Sequence, residues 1–447
     1  MNEVVVEEIG PCRNRIKITI PAESVREEIE KQYQELQKSV QFPGFRRGHT
    51  PQKLLEKRFG EEVLESVKET LITKSLEDAI KERNLDLISE PDLDAGELRV
   101  SPEVPLNFEV TVELRPRFEV KDYRGIPVER GPVEVGPTDV DAALQALARR
   151  RATLDPVEDG PVQAGDVVLA DARIEVEGEV EEHPGTSIDA ETQFVGGIYV
   201  GDVQQKLVGQ AQDGRLEVTA TVSRFHPRTD WRGKPARIEL TVREIKRINA
   251  PPVDEALAKE LDYDSLAELR ERTENEVRAV KERDQDRALE ERVLDLVLEK
   301  TPFDVPDGLV ERERERQLHT RVVALELMGV SNEEVQKEIA GAAEGPKDAL
   351  VRTLRRAFLM EAIADAEKLF VTEPEVNAAI EDLARSRRKT AEEVREEYDS
   401  RGLMSELRRE LRWRKVRRFL RENADIKDAP ARAGTQGVAG SQGGSTS

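Results

Sequence analysis

Side chains able to carry covalent, metal or acid–base chemistry are few in this chain and far apart. One cysteine, Cys12, and four histidines, His49, His183, His226 and His319, are spread over 447 residues. A lone thiol excludes an intramolecular disulfide framework and any multi-cysteine zinc or iron–sulfur site. No HExxH pair, Walker A loop, GxSxG elbow or GxGxxG turn is present, so the sequence nominates no metal, no cofactor and no activated nucleophile. Carboxylates abound, yet on amphipathic helices they read as a solvated face. The sharpest chemical feature is the loop Phe42-Pro43-Gly44-Phe45-Arg46-Arg47-Gly48-His49-Thr50-Pro51. Its glycines and prolines fix a tight connection, and Thr50 before Pro51 suits an N-cap and first helical position. Phe45 stands at the tip, flanked by Arg46, Arg47 and His49, with Lys53, Lys57 and Arg58 one or two turns on. An apolar plug ringed by cations suits a protein–RNA surface; the other reading is a helix–helix turn whose Phe folds back onto its own core.

Two amphipathic helices are predicted to carry that loop. Val25, Ile29, Tyr33, Leu36 and Val40 recur at spacings of three and four after Pro21, and Leu54, Leu55, Phe59, Val63, Leu64, Val67, Leu71, Leu76 and Ile80 continue the period beyond it. Val4 to Val6 and Ile16, Ile18, Ile20 before them read as strands, as does the alternation Phe108, Val110, Val112. Prolines at 116, 127, 132 and 137 mark a joint, after which Val140, Leu144 and Leu147 form a helix. From about Pro156 to Ile248 strands return at Val167 to Ala170, Ile174 to Val176, Leu216 to Val222 and Ile238 to Ile245. Beyond Pro252 the period is helical through seven segments, from about Ser265 to Lys300, Val310 to Leu327, Asn332 to Ile339, Pro346 to Phe370, Pro374 to Arg388, Ala391 to Ser400 and Leu403 to Glu422. The last stretch, 428–447, is rich in Gly, Ser, Ala and Gln and cannot bury a core. With 37% hydrophobic, 36% charged and 4% aromatic residues, several modest cores are expected rather than one thick interior. A formal charge of -22 disfavours wrapping of nucleic acid by the whole surface, so any polyanion must meet a local basic patch. No stretch approaches the roughly 20 apolar residues that span a bilayer, and no signal peptide is apparent. The expectation is a soluble cytoplasmic protein with no membrane partner.

The residues Gly44, Phe45, Arg46, Arg47, Gly48, His49, Thr50 and Pro51 spell the string GFRxGxxP, which resembles the ribosome-docking signature of the bacterial trigger factor family. The resemblance extends over the whole chain. It implies a multidomain α+β protein: an N-terminal α+β ribosome-docking domain (1–115), a linker with the first helical segment of the chaperone domain (116–155), an inserted FKBP-like β-rich domain (156–248), an extended all-α C-terminal chaperone domain with arms (249–427), and a disordered tail (428–447). By resemblance Gly44, Phe45, Arg46, Arg47 and Gly48 would meet protein and rRNA of the large ribosomal subunit near the exit tunnel. The helices would cradle unfolded nascent polypeptides without ATP, and a homodimer off the ribosome stays open. Candidate client-binding residues are Leu325, Leu327, Met328, Val330, Phe358, Leu359 and Met360, with interhelical core as the other reading.

The insertion resembles a peptidyl-prolyl isomerase of the FKBP type. Gly165-Asp166 opens a strand, Gly178 marks a hairpin, Leu207-Val208-Gly209 matches a helix and turn, and Gly233-Lys234 leads into the final strand. Such an enzyme needs no nucleophile: a dry aromatic pocket that twists the imide lowers a barrier of about 18–20 kcal/mol. The sequence departs from the family where Ala172, Glu181 and Val203 replace aromatic pocket residues and Val200-Gly201-Asp202-Val203 replaces Ile-Pro-Gly-Phe. Phe194, Tyr199, Phe225, His226 and Trp231 are the remaining pocket candidates, or simply the core of a small β domain; no catalytic residue is firm and activity is expected to be weak or lost. Two rival functions are an RNA-binding ribosome assembly factor using the basic run Arg408, Arg409, Arg412, Arg414, Lys415, Arg417, Arg418, Arg421, and a free-standing proline isomerase with helical arms.

Overall fold

A computed structural model describes residues 2–41, 43, 45–46, 48–93, 98–330, 332–344 and 347–429 of the chain. In order these form β1 (Glu3–Gly10), β2 (Arg13–Ile20), α1 (Ala22–Ser39), α2 (Gln52–Glu82), β3 (Asp92–Leu93), β4 (Leu106–Glu113), β5 (Pro127–Arg130) and α3 (Pro137–Arg150). The β-rich stretch follows as β6 (Thr153–Pro156), β7 (Val167–Val176), β8 (Glu179–Ile188), β9 (Phe194–Val195), β10 (Ile198–Tyr199), α4 (Val203–Leu207), β11 (Arg215–Thr221) and β12 (Pro235–Asn249). The remainder is helical: α5 (Glu255–Glu260), α6 (Leu266–Lys300), α7 (Asp307–Leu327), α8 (Asn332–Glu344), α9 (Asp348–Ala366), α10 (Glu373–Arg387), α11 (Ala391–Ser400) and α12 (Met404–Glu422), closed by β13 (Asp425–Asp428). The fold is multidomain α+β. No described helix is long and apolar enough to cross a membrane, and among the described residues no cluster of His, Cys, Asp and Glu is placed to hold a metal.

One compact unit comprises 1–121, 298–314 and 347–363. Its sheet runs β1-β2-β4-β3, with Ile16, Ile18 and Ile20 paired to Val110, Phe108 and Leu106. Because side chains alternate along a strand, all six point to the same face, and all are buried. Helices α1 and α2 cover that face with Val25, Ile29 and Tyr33 from one and Leu55, Val63, Val67 and Leu71 from the other. Gly60 lets α2 run past Tyr33, whose hydroxyl would lie 3.7 Å from any Cβ there. Thr50 is not the N-cap of α2: Pro51 holds that position, and Gln37 Nε2 donates to the Thr50 carbonyl at 2.5 Å.

The second unit comprises 122–297, 315–346 and 364–447. Strands β11-β12-β7-β8 form an antiparallel sheet, with β6 also on β12. The core behind it holds Val168, Ala170, Ile174, Ile238, Leu240 and Trp231. β6 brings the edge of this module back to Thr153, which pairs with Asn249. β8 carries Glu179, Glu181, Glu182, Pro184 and Gly185, a composition without an apolar run, so the periodicity gave no sign of it. A parallel pair, β5 with β13, was equally hidden: Val128 and Ile426 are the apolar centre of two four-residue strands almost 300 residues apart. Elsewhere α3, α5 and α6 share Val140, Leu144, Ala258 and Leu269, and α10, α11 and α12 share Val376, Ile380, Val394 and Leu411.

Candidate functional site

The hairpin of α1 and α2 presents the loop of the first unit. Phe45 is 38% exposed, Arg46 and His49 are exposed, and His49 N–H donates to Arg46 O at 3.0 Å, which turns the chain back toward α2. Gly48 takes φ +83 in that turn. Lys53 and Lys57 face solvent on the first turns of α2, and the Arg58 guanidinium lies 5.5 Å from the Phe59 ring. Phe42, Gly44 and Arg47 lie outside the described residues. The described part is therefore a partly exposed apolar ring with exposed cations around it.

In the β module the five aromatic and histidine candidates divide into two groups joined by one turn. Phe194 and Tyr199 face each other across the β9–β10 hairpin, rings edge-on at 5.4 Å, with Phe194 47% exposed. Gly196 and Gly197 make the turn with φ +55 and +80, and a Cβ on Gly196 would sit 2.3 Å from Ile174 Cδ1. Both residues must be glycine for the hairpin to close on β7. His226 Nε2 lies 3.1 Å from Gly196 O, and the buried His226 ring stacks at 5.7 Å on Trp231, which is 2% exposed. Phe225 points outward, 46% exposed beneath Arg224. Trp231 and His226 thus belong to the module's core while Phe194, Tyr199 and Phe225 reach its surface. Of the substituted pocket positions, Ala172 and Val203 are buried, and Glu181 pairs with Arg228 at 3.3 Å.

Arg228 was not singled out in the sequence, although a charged run Arg228-Thr229-Asp230 beside a tryptophan is a readable signal. Its guanidinium lies 4.2 Å from the Trp231 ring centre and meets Glu179, Glu181 and Asp230. The hydrogen bond that it donates to Asp230, then those to the other carboxylates, hold its pKa above the ordinary guanidinium value. Trp231 Nε1–H donates to Glu179 Oε2 at 3.1 Å. A charged lattice therefore closes one side of the tryptophan.

Of the helical candidates, Leu359 and Met360 are buried and offer no surface, Phe358 is half-buried with Arg115 5.9 Å from its ring, and Leu325 and Val330 are half-buried. Leu327 and Met328 are 47% and 39% exposed. A groove of about 560 Å³ between α10, α11 and α12, lined by Leu383, Tyr398, Leu403 and Leu407, was not foreseen because each of these residues also fits the core pattern. The basic run on α12 is largely committed to ion pairs: Arg408 with Glu373, Arg409 with Glu406, Arg412 with Asp365, Lys415 with Glu375, Arg417 with Glu410 and Arg421 with Asp286. That helix is laced to its neighbours and not presented as a phosphate-binding face.

Comparison with known proteins bears on the whole chain. The profile described as bacterial trigger factor protein (TF) matches residues 2–147, and that described as bacterial trigger factor protein (TF) C-terminus matches 265–422. The trigger factor of Moorella thermoacetica is 30% identical, covering 98% of this chain and 97% of its own. Those of Geobacter sp. strain M21 and Bacillus subtilis are 27% and 28% identical over 96% and 91% of this chain, and over 99% and 96% of their own lengths. A solved structure described as "Promiscuous Substrate Recognition in Folding and Assembly Activities of the Trigger Factor Chaperone" covers 94% of this chain and 99% of that one, at 22% identity and a TM-score of 0.49. The chain belongs to the bacterial trigger factor family.

Proposed function

We propose that this chain is an ATP-independent chaperone that docks on the large ribosomal subunit near the exit tunnel through the 44–48 loop and holds emerging polypeptides until they fold. The observation that carries the docking reading is Phe45, 38% exposed at the tip of a helical hairpin with Arg46, Lys53 and Lys57 around it. A protein of net charge -22 approaches rRNA favourably only where such cations outnumber carboxylates, so docking is local and weakened by salt. Holding would rest on scattered apolar surface such as Leu327, Met328 and the α10–α12 groove, where each contact contributes only about 25 cal/mol per Å² buried. Weak, sequence-tolerant contacts let a client leave without hydrolysis of a nucleotide. The β module is proposed to retain an isomerase-type fold with a weak pocket formed around Phe194, Tyr199 and Phe225.

Co-sedimentation with large ribosomal subunits tests the docking reading. Wild type is expected to pellet with the subunits at low salt and to be lost progressively as salt rises, while Phe45→Ala/Arg46→Ala/Arg47→Ala stays in the supernatant throughout. Full pelleting of the triple variant, or binding by wild type indifferent to salt, would sink it.

A further inference from the structure

The second unit contains a buried polar contact that neither docking nor apolar holding uses. Helix α7 ends at Leu327, and its last carbonyls require partners. Gly329, at φ +71, turns the chain out of the helix, its N–H donating to Glu326 O at 3.1 Å while Val330 N–H donates to Leu325 O at 3.1 Å. Glu326 O also accepts the Ser223 hydroxyl of the β module at 2.7 Å, with Ser223 and Glu326 5% and 7% exposed. The Glu326 carboxylate pairs with Arg224. Gly329 lies so close to β11 that a Cβ would sit 2.2 Å from the Thr221 carbonyl oxygen. Withdrawing a carboxylate from water is unfavourable unless a counter-charge and hydrogen bonds offset it. Glu326 sits in the apolar run Leu325-Glu326-Leu327-Met328, where solvent would serve a carboxylate better, so its burial against Arg224 marks a specific joint.

The joint also orders the segment beyond it. Ser223 Oγ accepts Phe225 N–H at 3.2 Å and Ser223 O accepts His226 N–H at 3.0 Å, so seating α7 on Ser223 fixes the turn that carries Phe225 and His226. Phe225, Leu327 and Met328 nevertheless remain 46%, 47% and 39% exposed. The contact is thus polar at its centre and leaves its apolar neighbours to solvent, the composition of an interface that opens and closes rather than of a permanent core.

We propose that Ser223, Arg224, Glu326 and Gly329 form a reversible latch between the end of α7 and the β module, and that an unfolded polypeptide seated on Leu327, Met328 and Phe225 opens it. Phe225 directly follows the latch residues Ser223 and Arg224, and Leu327 and Met328 lie between Glu326 and Gly329, so a segment that covers all three displaces the contact between the two stretches. The client-driven half rests on the chaperone reading above; the latch itself does not.

Amide hydrogen exchange on the full chain tests both halves, with Glu326→Ala removing the ion pair and Gly329→Ala wedging a methyl against the Thr221 carbonyl. In both variants the amides of Ser223–His226 are expected to exchange about 10-fold faster while those of β7 and β12 keep their wild-type rates. Adding a reduced, carboxymethylated protein that cannot refold should produce the same acceleration in wild type, and that client should bind the variants several-fold more tightly because the closed state no longer competes. Unchanged exchange at Ser223–His226 in both variants would overturn the latch. Acceleration in the variants with no response of wild type to bound client would overturn client-driven opening. Absence of client binding to all three chains would overturn the holding function and its coupling, and the exchange of the variants would still judge the latch.

Discussion

Asp166 shows how one side chain can hold a module together. It is 3% exposed, accepts Gln163 N–H at 2.8 Å, and receives Arg247 Nε and Nη2 at 3.1 and 3.0 Å, which ties the start of β7 to the end of β12. Burial opposes its charge, and Arg247 with the Gln163 N–H more than offsets that, so the carboxyl titrates below its ordinary value of 3.8. A depressed acid stabilises the fold fully above the ordinary value, and the contribution is lost as pH falls through the folded one. Asp166→Asn is therefore expected to cost the β module about 1–3 kcal/mol near neutral pH, the range for a hydrogen-bonded group that is charged. The deficit should shrink as pH drops below about 4. Denaturant unfolding followed through the fluorescence of the buried Trp231 measures it, and an equal deficit at neutral and acid pH would contradict the assignment. By resemblance the pair Gly165-Asp166 was expected to open a strand, and β7 begins at Val167. The partner of Asp166, Arg247, was not legible, because an arginine 81 residues away carries no local sign of where it bonds.

At the scale of elements, helices were the readable part. Apolar residues at spacings of three and four located α6, α7 and α9 to α12 to within a few residues, since a helix buries a stripe that its own sequence spells out. The β5–β13 pair was not readable because its partner strands lie almost 300 residues apart, and β8, although it forms a hairpin with β7, has no apolar alternation of its own to mark it. A similar limit governs the proposed isomerase pocket: its positions could be matched by resemblance, but their surroundings could not. Ala172 on β7 and Val203 on α4 add little bulk, and on β8 Glu181 brings Arg228 and further carboxylates beside Trp231. An imide in transition needs a dry wall. Each lost aromatic contact costs about 0.5–1.5 kcal/mol, so two or three remove roughly one to three powers of ten in rate. Activity on a short X–Pro peptide in a protease-coupled assay is expected to be that much below active relatives. Phe194→Ala is the informative control, because Phe194 is 47% exposed, whereas truncating the buried Trp231 would cost about 3–5 kcal/mol of folding and confuse the two effects. A rate equal to that of active relatives, abolished by Phe194→Ala, would show that the pocket is intact.

At the scale of the whole chain, the β module is an insertion whose two ends leave side by side. Thr153 on β6 pairs with Asn249 on β12, which places their Cα atoms about 5 Å apart. A loop of about three residues is therefore enough to join Ala152 to Ala250. The flanking helices already hold one another: Val140 and Leu144 pack with Ala258 and Leu269, Asp141 pairs with Arg270 at 2.9 Å, and Asp139 with Lys281 at 2.5 Å. Excision of 153–249 should leave that packing in place and return Glu326 to water, removing the partner of the proposed latch. The shortened chain is expected to keep its helical circular dichroism and to suppress aggregation of an unfolded client at least as well per mole as the full chain, since the proposed holding surface is mainly helical, only Phe225 of it leaves with the module, and the proposed latch that competes for it is gone. A shortened chain that loses its helical signal would show that the module supports the helices. One that folds yet no longer holds clients would move the holding surface into the β module, where Phe194 and Phe225 would become its principal apolar contacts.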